Sequence, residues 1–223
     1  MGLAMRKEPA AETQHWIKLG LGAFTLYAGF HLIWSGLGGG ALSMFKQIGI
    51  VMIALILGNL IGQTLRVQKS LNRLGSYAKE RLSNAAQNPS SKFNDGLLVS
   101  SMLFCVTPLA LLGPISDGLN ADYKILLVKS VMDGLAALSF VAFFGWSVLL
   151  SAMPVLALQG SFSLAAKLGE PYLSQHGVVD SITVTTGFLT FTVVLIVFGV
   201  QQVKLGDYLP SLIVAPFLAA LWW

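Results

Sequence analysis

The sequence predicts an all-α fold, a polytopic transmembrane helix bundle of about seven membrane segments, several of them interrupted by proline. Three observations lead there. Hydrophobic residues make up 55% of the 223-residue chain and charged residues 11%, with a mean hydropathy of +0.72. Soluble domains average about 25% charged residues, so this chain cannot cover a water-facing surface. The apolar residues also arrive in blocks that reach the roughly 20 residues a helix needs to cross a hydrocarbon core of about 30 Å. Finally, blocks such as residues 48–57 and 188–200 do not alternate apolar with polar, as the strands of a membrane barrel would.

Seven segments are expected, at residues 17–37, 47–65, 95–112, 125–144, 147–168, 181–200 and 208–223, within a single transmembrane domain covering 1–223. Residues 1–16 form a polar N-terminal stretch with Arg6, Lys7, Glu8 and Glu12 and no cleavable leader pattern. Lys and Arg set the orientation. The linker of residues 66–93 holds Arg66, Lys69, Arg73, Lys79, Arg81 and Lys92, six of the 14 basic residues. It is expected in the cytoplasm, with the N-terminus on the same side. The stretch 115–123 carries Asp117 and Asp122 without a basic residue and is expected as an outside loop; Lys204 returns inside. Within the linker, Leu71, Leu74 and Ala78 fall at helical spacing among the cations, which suits an amphipathic surface helix lying against anionic headgroups. Tyr77 is the one aromatic residue interleaved there, too few for a single-stranded nucleic-acid platform, and no nucleic-acid partner is expected.

Asp133 is the residue most in need of explanation. It sits about eight residues inside the fourth segment, roughly 12 Å deep at 1.5 Å per residue. An ionisable group there costs at least about 2.5 kcal/mol and faces a partner or a watery cavity. Lys129 lies one turn earlier, the i, i+4 relation at which side chains meet. Two readings stand side by side: a structural pair that ties the helix into the bundle, or a carboxylate offered to a cation or proton with Lys129 as internal competitor.

Proline supplies the second feature. Pro108 falls inside the third segment and Pro114 at its end, Pro154 in the fifth, and Pro210 and Pro216 in the seventh. Each leaves a carbonyl one turn back without its donor, which lipid tolerates only where it is re-satisfied or lines a cavity; transporters coordinate ions with such breaks. Neutral polar groups come third: Ser130, Gln159, Thr107 and Asn59 are candidate ligands alongside the freed carbonyls. Gly58 and Gly62 share the G-x-x-x-G spacing of closely packed membrane helices. Cys105, the single cysteine, reads as a small buried apolar residue.

Catalytic signatures are missing. His15, His31 and His176 have no metal-ligand spacing, and no Walker A, G-x-S-x-G or H-E-x-x-H motif is present. Asp133 and Asp207 would suit an intramembrane aspartyl pair, but Lys204-Leu205-Gly206-Asp207 lacks the first glycine of G-x-G-D. No enzyme activity, cofactor or metal is expected.

Phe104-Cys105-Val106, Gly113-Pro114-Ile115-Ser116-Asp117-Gly118-Leu119, Lys129-Ser130-Val131-Met132-Asp133-Gly134, Ser151-Ala152-Met153-Pro154 and Gln159-Gly160 follow a familiar order. Together with Gly58-Asn59-Leu60-Ile61-Gly62, Gly187, Leu209-Pro210 and Ala215-Pro216, they resemble the uncharacterised bacterial membrane proteins typified by YqgA and YdfK. The resemblance runs from about Trp16 to Trp223. It implies a polytopic protein of the bacterial inner membrane and marks Lys129, Asp133, Pro154 and Gln159 as motif positions. Members generally begin with an additional helix carrying Gly-Thr and Asn, where this chain has its polar start. Thr107-Pro108 also replaces a small, glycine-containing stretch.

The function expected is a channel or secondary transporter for a small cation or polar solute, centred on Asp133. The alternative is a non-transporting scaffold or regulatory subunit. Seven short helices enclose little volume alone, so a homo-oligomer is expected. Phe24-Thr25 and Phe191-Thr192 recur in segments one and six, which would run in opposite directions as an inverted repeat requires.

Overall fold

A computed structural model describes residues 11–87, 92–173 and 177–222. Residues 1–10 of the expected polar start and 88–91 of the linker lie outside the described residues. All regular structure among the described residues is helical: α1 (Ala11–Gly36), α2 (Ala41–Leu65), α3 (Val67–Gln87), α4 (Lys92–Cys105), α5 (Leu109–Asn120), α6 (Lys124–Phe144), a 3₁₀ turn (Gly145–Ser151), α7 (Ala152–Leu173), α8 (Val178–Val197), α9 (Leu205–Tyr208) and α10 (Ser211–Trp222).

Among the described residues, four helical stretches are long and apolar enough to cross a membrane: Ala41–Leu65, Gly145–Pro171, Val178–Val197 and Leu205–Trp222. Phe93–Cys105 with Leu109–Asn120, bent by 58°, makes a fifth if it is one span. Expected segments one and four fall on α1 and α6, which are 26 and 21 residues long. The outer surfaces of α2, α7 and α10 show why water is the wrong solvent. Ile56, Leu60, Leu156, Leu164, Ile213 and Phe217 are all exposed, a continuous apolar exposure that soluble monomers avoid. Along α1, exposed Trp16 and Trp34 lie about 27 Å apart at 1.5 Å per residue.

Helix association in lipid gains little from the hydrophobic effect and depends on close contact. The centre of the bundle is α8, buried almost continuously from Ser181 to Gly187 and packed on α1, α2, α5, α7, α9 and α10. On α1, Gly22, Gly29 and Gly36 repeat every seven residues and meet Phe198, Gly187 with Phe191, and Val184 with Asp180 respectively. As the numbering rises along α1 it falls along α8, so the two helices are antiparallel. A Cβ on Gly29 would stand 3.0 Å from the Phe191 nitrogen and 3.1 Å from the Gly187 oxygen. Gly58 and Gly62 of α2 play the same part against the Ser211 and Asp207 backbone, at the α9–α10 junction.

The linker helix is held down as well as amphipathic. Asp207 is buried, and its Oδ1 accepts the Gln68 N–H at 2.9 Å, while Gln68 Oε1 accepts the Gly206 N–H at 2.8 Å. A carboxylate therefore sits on the N-terminal turn of α3, where free N–H groups and the helix dipole favour it.

Three expectations are corrected. The third segment does not stop at residue 112; it breaks at 106–108 and resumes as α5 to Asn120. The outside loop drawn at 115–123 is thus only 121–123, and Asp117, inside α5, accepts the Ser163 hydroxyl at 2.5 Å. Pro154 interrupts no span; it stands just after the change from 3₁₀ to α-helix at Ser151–Ala152, inside the continuous stretch Gly145–Pro171.

Gly29→Val should lower stability by about 1–3 kcal/mol through overpacking, read as a fall in thermal unfolding midpoint in detergent. Gly49→Val, where an added Cβ meets nothing within 4 Å, should leave the midpoint almost unchanged.

Candidate functional site

Proline 108 has no N–H, so the carbonyl four residues back, that of Phe104, loses its helical donor. In a membrane an unpaired carbonyl costs several kcal/mol. The Lys129 ammonium, reaching from α6, donates to the Phe104 oxygen at 2.7 Å and lies 5.9 Å from the Phe104 ring centroid, within cation–π range. The same ammonium forms an ion pair with Asp133 Oδ2, one turn along α6. The Lys129 side chain is 3% exposed and that of Asp133 20%. A buried charge is tolerable when it is paired and hydrogen-bonded; here the proline break, the lysine and the aspartate supply one another's partners.

The other breaks behave differently. Leu150 O, one turn before Pro154, accepts the Ala152 N–H, and Gly206 O, one turn before Pro210, accepts the Leu209 N–H at 3.2 Å. Both are satisfied by backbone. Pro114 and Pro216 lie inside continuous helices, α5 and α10. Among the carbonyls before Pro108, Pro154 and Pro210, that of Phe104 alone is taken by a side chain.

Lys129, Asp133 and the Phe104 carbonyl are thus brought together, and the rest of the expected set is spread out. The Ser130 hydroxyl donates to its own helix, to Leu127 O at 2.9 Å, on an exposed face. Asn59 Oδ1 accepts from Gln63 on α2 at 3.1 Å. Gln159 is on α7, which packs principally on α5 and α4, and its Nε2 is buried without a hydrogen-bond partner. Thr107 Oγ1 is likewise buried and unpartnered. It lines a partly open cavity of about 390 Å³, together with Pro108 at the break, Met132 of α6 and Leu71 and Leu74 of α3.

Two groupings escaped the sequence reading. Phe104 carries no functional signal of its own in the sequence, though counting four back from Pro108 points to its carbonyl. Just before the start of α6, buried Asp122 pairs with Lys124 at 3.1 Å and lies 3.3 Å from His31 Nδ1, joining α1 to the α5–α6 junction; no local pattern signals that. Asp207, weighed as a partner for Asp133, is instead engaged by Gln68.

This architecture defines a helical membrane protein with an ion pair buried at a broken helix. Residues 1–220 match the family described as protein of unknown function (DUF554), and the chain belongs to that family. It is 27% identical over 168 residues to the uncharacterized membrane protein YdfK of Bacillus subtilis (strain 168), covering 75% of this chain and 68% of that one. It is 26% identical over 191 residues to the uncharacterized protein YqgA of Escherichia coli (strain K12), covering 84% and 81%. No solved structure matches.

Asp133→Leu should strand the buried lysine and destabilise the protein by about 3–5 kcal/mol. The double variant Lys129→Met/Asp133→Leu should recover only part of that loss, because it leaves the Phe104 carbonyl without its donor; both are read by thermal unfolding in the same detergent.

Proposed function

We propose that this membrane protein is a channel or secondary transporter for a small cation or polar solute, with Asp133 as its charged site. The observation that carries the reading is the environment of the Lys129 ammonium. It is held by a carboxylate and by a helix-break carbonyl, the ligand pair that interrupted helices offer to coupling ions in transporters. Lys129 then acts as a tethered cation, and a mobile cation or proton reaches Asp133 by displacing or discharging it. The orientation that goes with this reading puts α3 and the N-terminus in the cytoplasm of a bacterial inner membrane, and the assembled unit is a homo-oligomer.

Purified protein in liposomes should carry a measurable flux of protons, Na⁺ or K⁺, and Asp133→Asn should abolish it. A wild-type protein without any such flux, or a variant with unchanged flux, overturns the reading. The competing role is a scaffold or regulatory subunit, favoured by the mutual neutralisation of the two residues. There the exchange Lys129→Asp/Asp133→Lys keeps the ion pair and with it partner binding, at the cost of the hydrogen bond to Phe104 O, and no flux exists to lose. For a transporter the exchanged protein folds but conducts nothing.

A further inference from the structure

We propose that the cavity between α3 and the α4–α5 break is a lipid site, taking one acyl chain of an anionic phospholipid whose phosphate rests on the cations at its rim.

The wall is built from hydrocarbon. Leu71 and Leu74 of α3, Met102 and Pro108 of the broken pair, Met132 of α6 and Val193 of α8 line the cavity. Its volume of about 390 Å³ lies within the range of about 300–1,000 Å³ of ligand pockets. The amides on the α3 side are already occupied: Gln68 Nε2 donates to Asn72 Oδ1 at 2.9 Å and Gln68 Oε1 accepts from Gly206. Thr107 Oγ1 on the wall is buried and unpartnered, but it is already out of water, so an apolar guest costs it nothing further. A hydrated solute would find few other partners there. The two methionines give the wall the adaptability that a flexible chain needs.

Charge identifies the other end of the guest. Val203 and Leu205, which lie beyond the end of α8, both line the cavity, and exposed Lys204 stands between them. Arg66, Lys69 and Arg73 are exposed along the start of α3, and the neighbouring carboxylate of Asp207 is engaged by the Gln68 N–H. These cations neighbour the lining residues Gln68, Asn72, Val203 and Leu205 along the chain, so positive charge, the complement of an anionic headgroup, accompanies an acyl-sized hollow. A bilayer presents such an amphiphile at high local concentration. A chain seated there would touch α3, the Pro108 break and α6 at once, and so would stiffen the element that carries the Phe104 carbonyl.

The full chain, reconstituted in phosphatidylcholine vesicles containing a trace of acyl-chain spin-labelled phosphatidylglycerol, should show a motionally restricted component in its electron spin resonance spectrum. That component should exceed the one from spin-labelled phosphatidylcholine roughly fivefold, as about one extra headgroup–cation contact provides. Leu74→Trp and, separately, Met102→Trp fill the hollow and should reduce the phosphatidylglycerol signal to the phosphatidylcholine level, with the helical circular dichroism unchanged. Lys204→Gln should reduce it in part. Equal restriction of the two lipids by the wild-type protein overturns the proposal. So does full phosphatidylglycerol preference in either folded Trp variant, which would mean headgroup adsorption on α3 without a seated chain. Because lipid mobility is read rather than flux, the outcome is independent of whether Asp133 supports transport.

Discussion

Pro108 cannot donate a backbone hydrogen bond, and the consequence spreads through the membrane part of this protein. The unpaired Phe104 carbonyl needs a donor, the Lys129 ammonium provides it, and the ammonium in turn needs the Asp133 carboxylate. Each group alone would cost several kcal/mol in hydrocarbon. Together they satisfy one another and tie α6 to the end of α4. The 58° bend between α4 and α5 is held in place by this contact.

Elsewhere the bundle relies on proximity and polar latches rather than a hydrophobic driving force. The glycines of α1 let its backbone approach α8 closely, and Gly58 and Gly62 do the same for α2 at the α9–α10 junction. At the α3 end, Gln68 and Gly206–Asp207 exchange hydrogen bonds across the longest sequence separation among these contacts. At the start of α6, Asp122 gathers Lys124 and His31. The ion pair at the break thus lies on a helix fixed by polar contacts at its beginning and by Phe104 further along.

The fold class was legible because composition and block length depend only on the solvent that the helices face. The Lys129–Asp133 pair was legible because i, i+4 geometry is local. Phe104 was half legible: the register of Pro108 names the orphaned carbonyl, but nothing in one sequence says which distant side chain reaches it. Ser130, Asn59 and Gln159 failed to join the site for the same reason, since helical spacing assigns a face and not the neighbour across from it. Pro154 and Pro108 look alike within apolar runs. Only the position of the helix start separates a proline that opens a helix from one that breaks it. The reach of α5 to Asn120 was hidden by Gly113-Pro114 and Gly118, which read as loop residues yet pack inside a helix.

The central claim is that Lys129 is the donor to the carbonyl that Pro108 frees, and solid-state NMR addresses it directly. Full-length protein in bilayers would carry ¹⁵N at lysine Nζ and ¹³C at phenylalanine carbonyls. The account predicts a through-space coupling between one ammonium nitrogen and one phenylalanine carbonyl, lost in Lys129→Met and in Phe104→Leu. Absence of that coupling in the wild-type protein, or its survival in either variant, would contradict it.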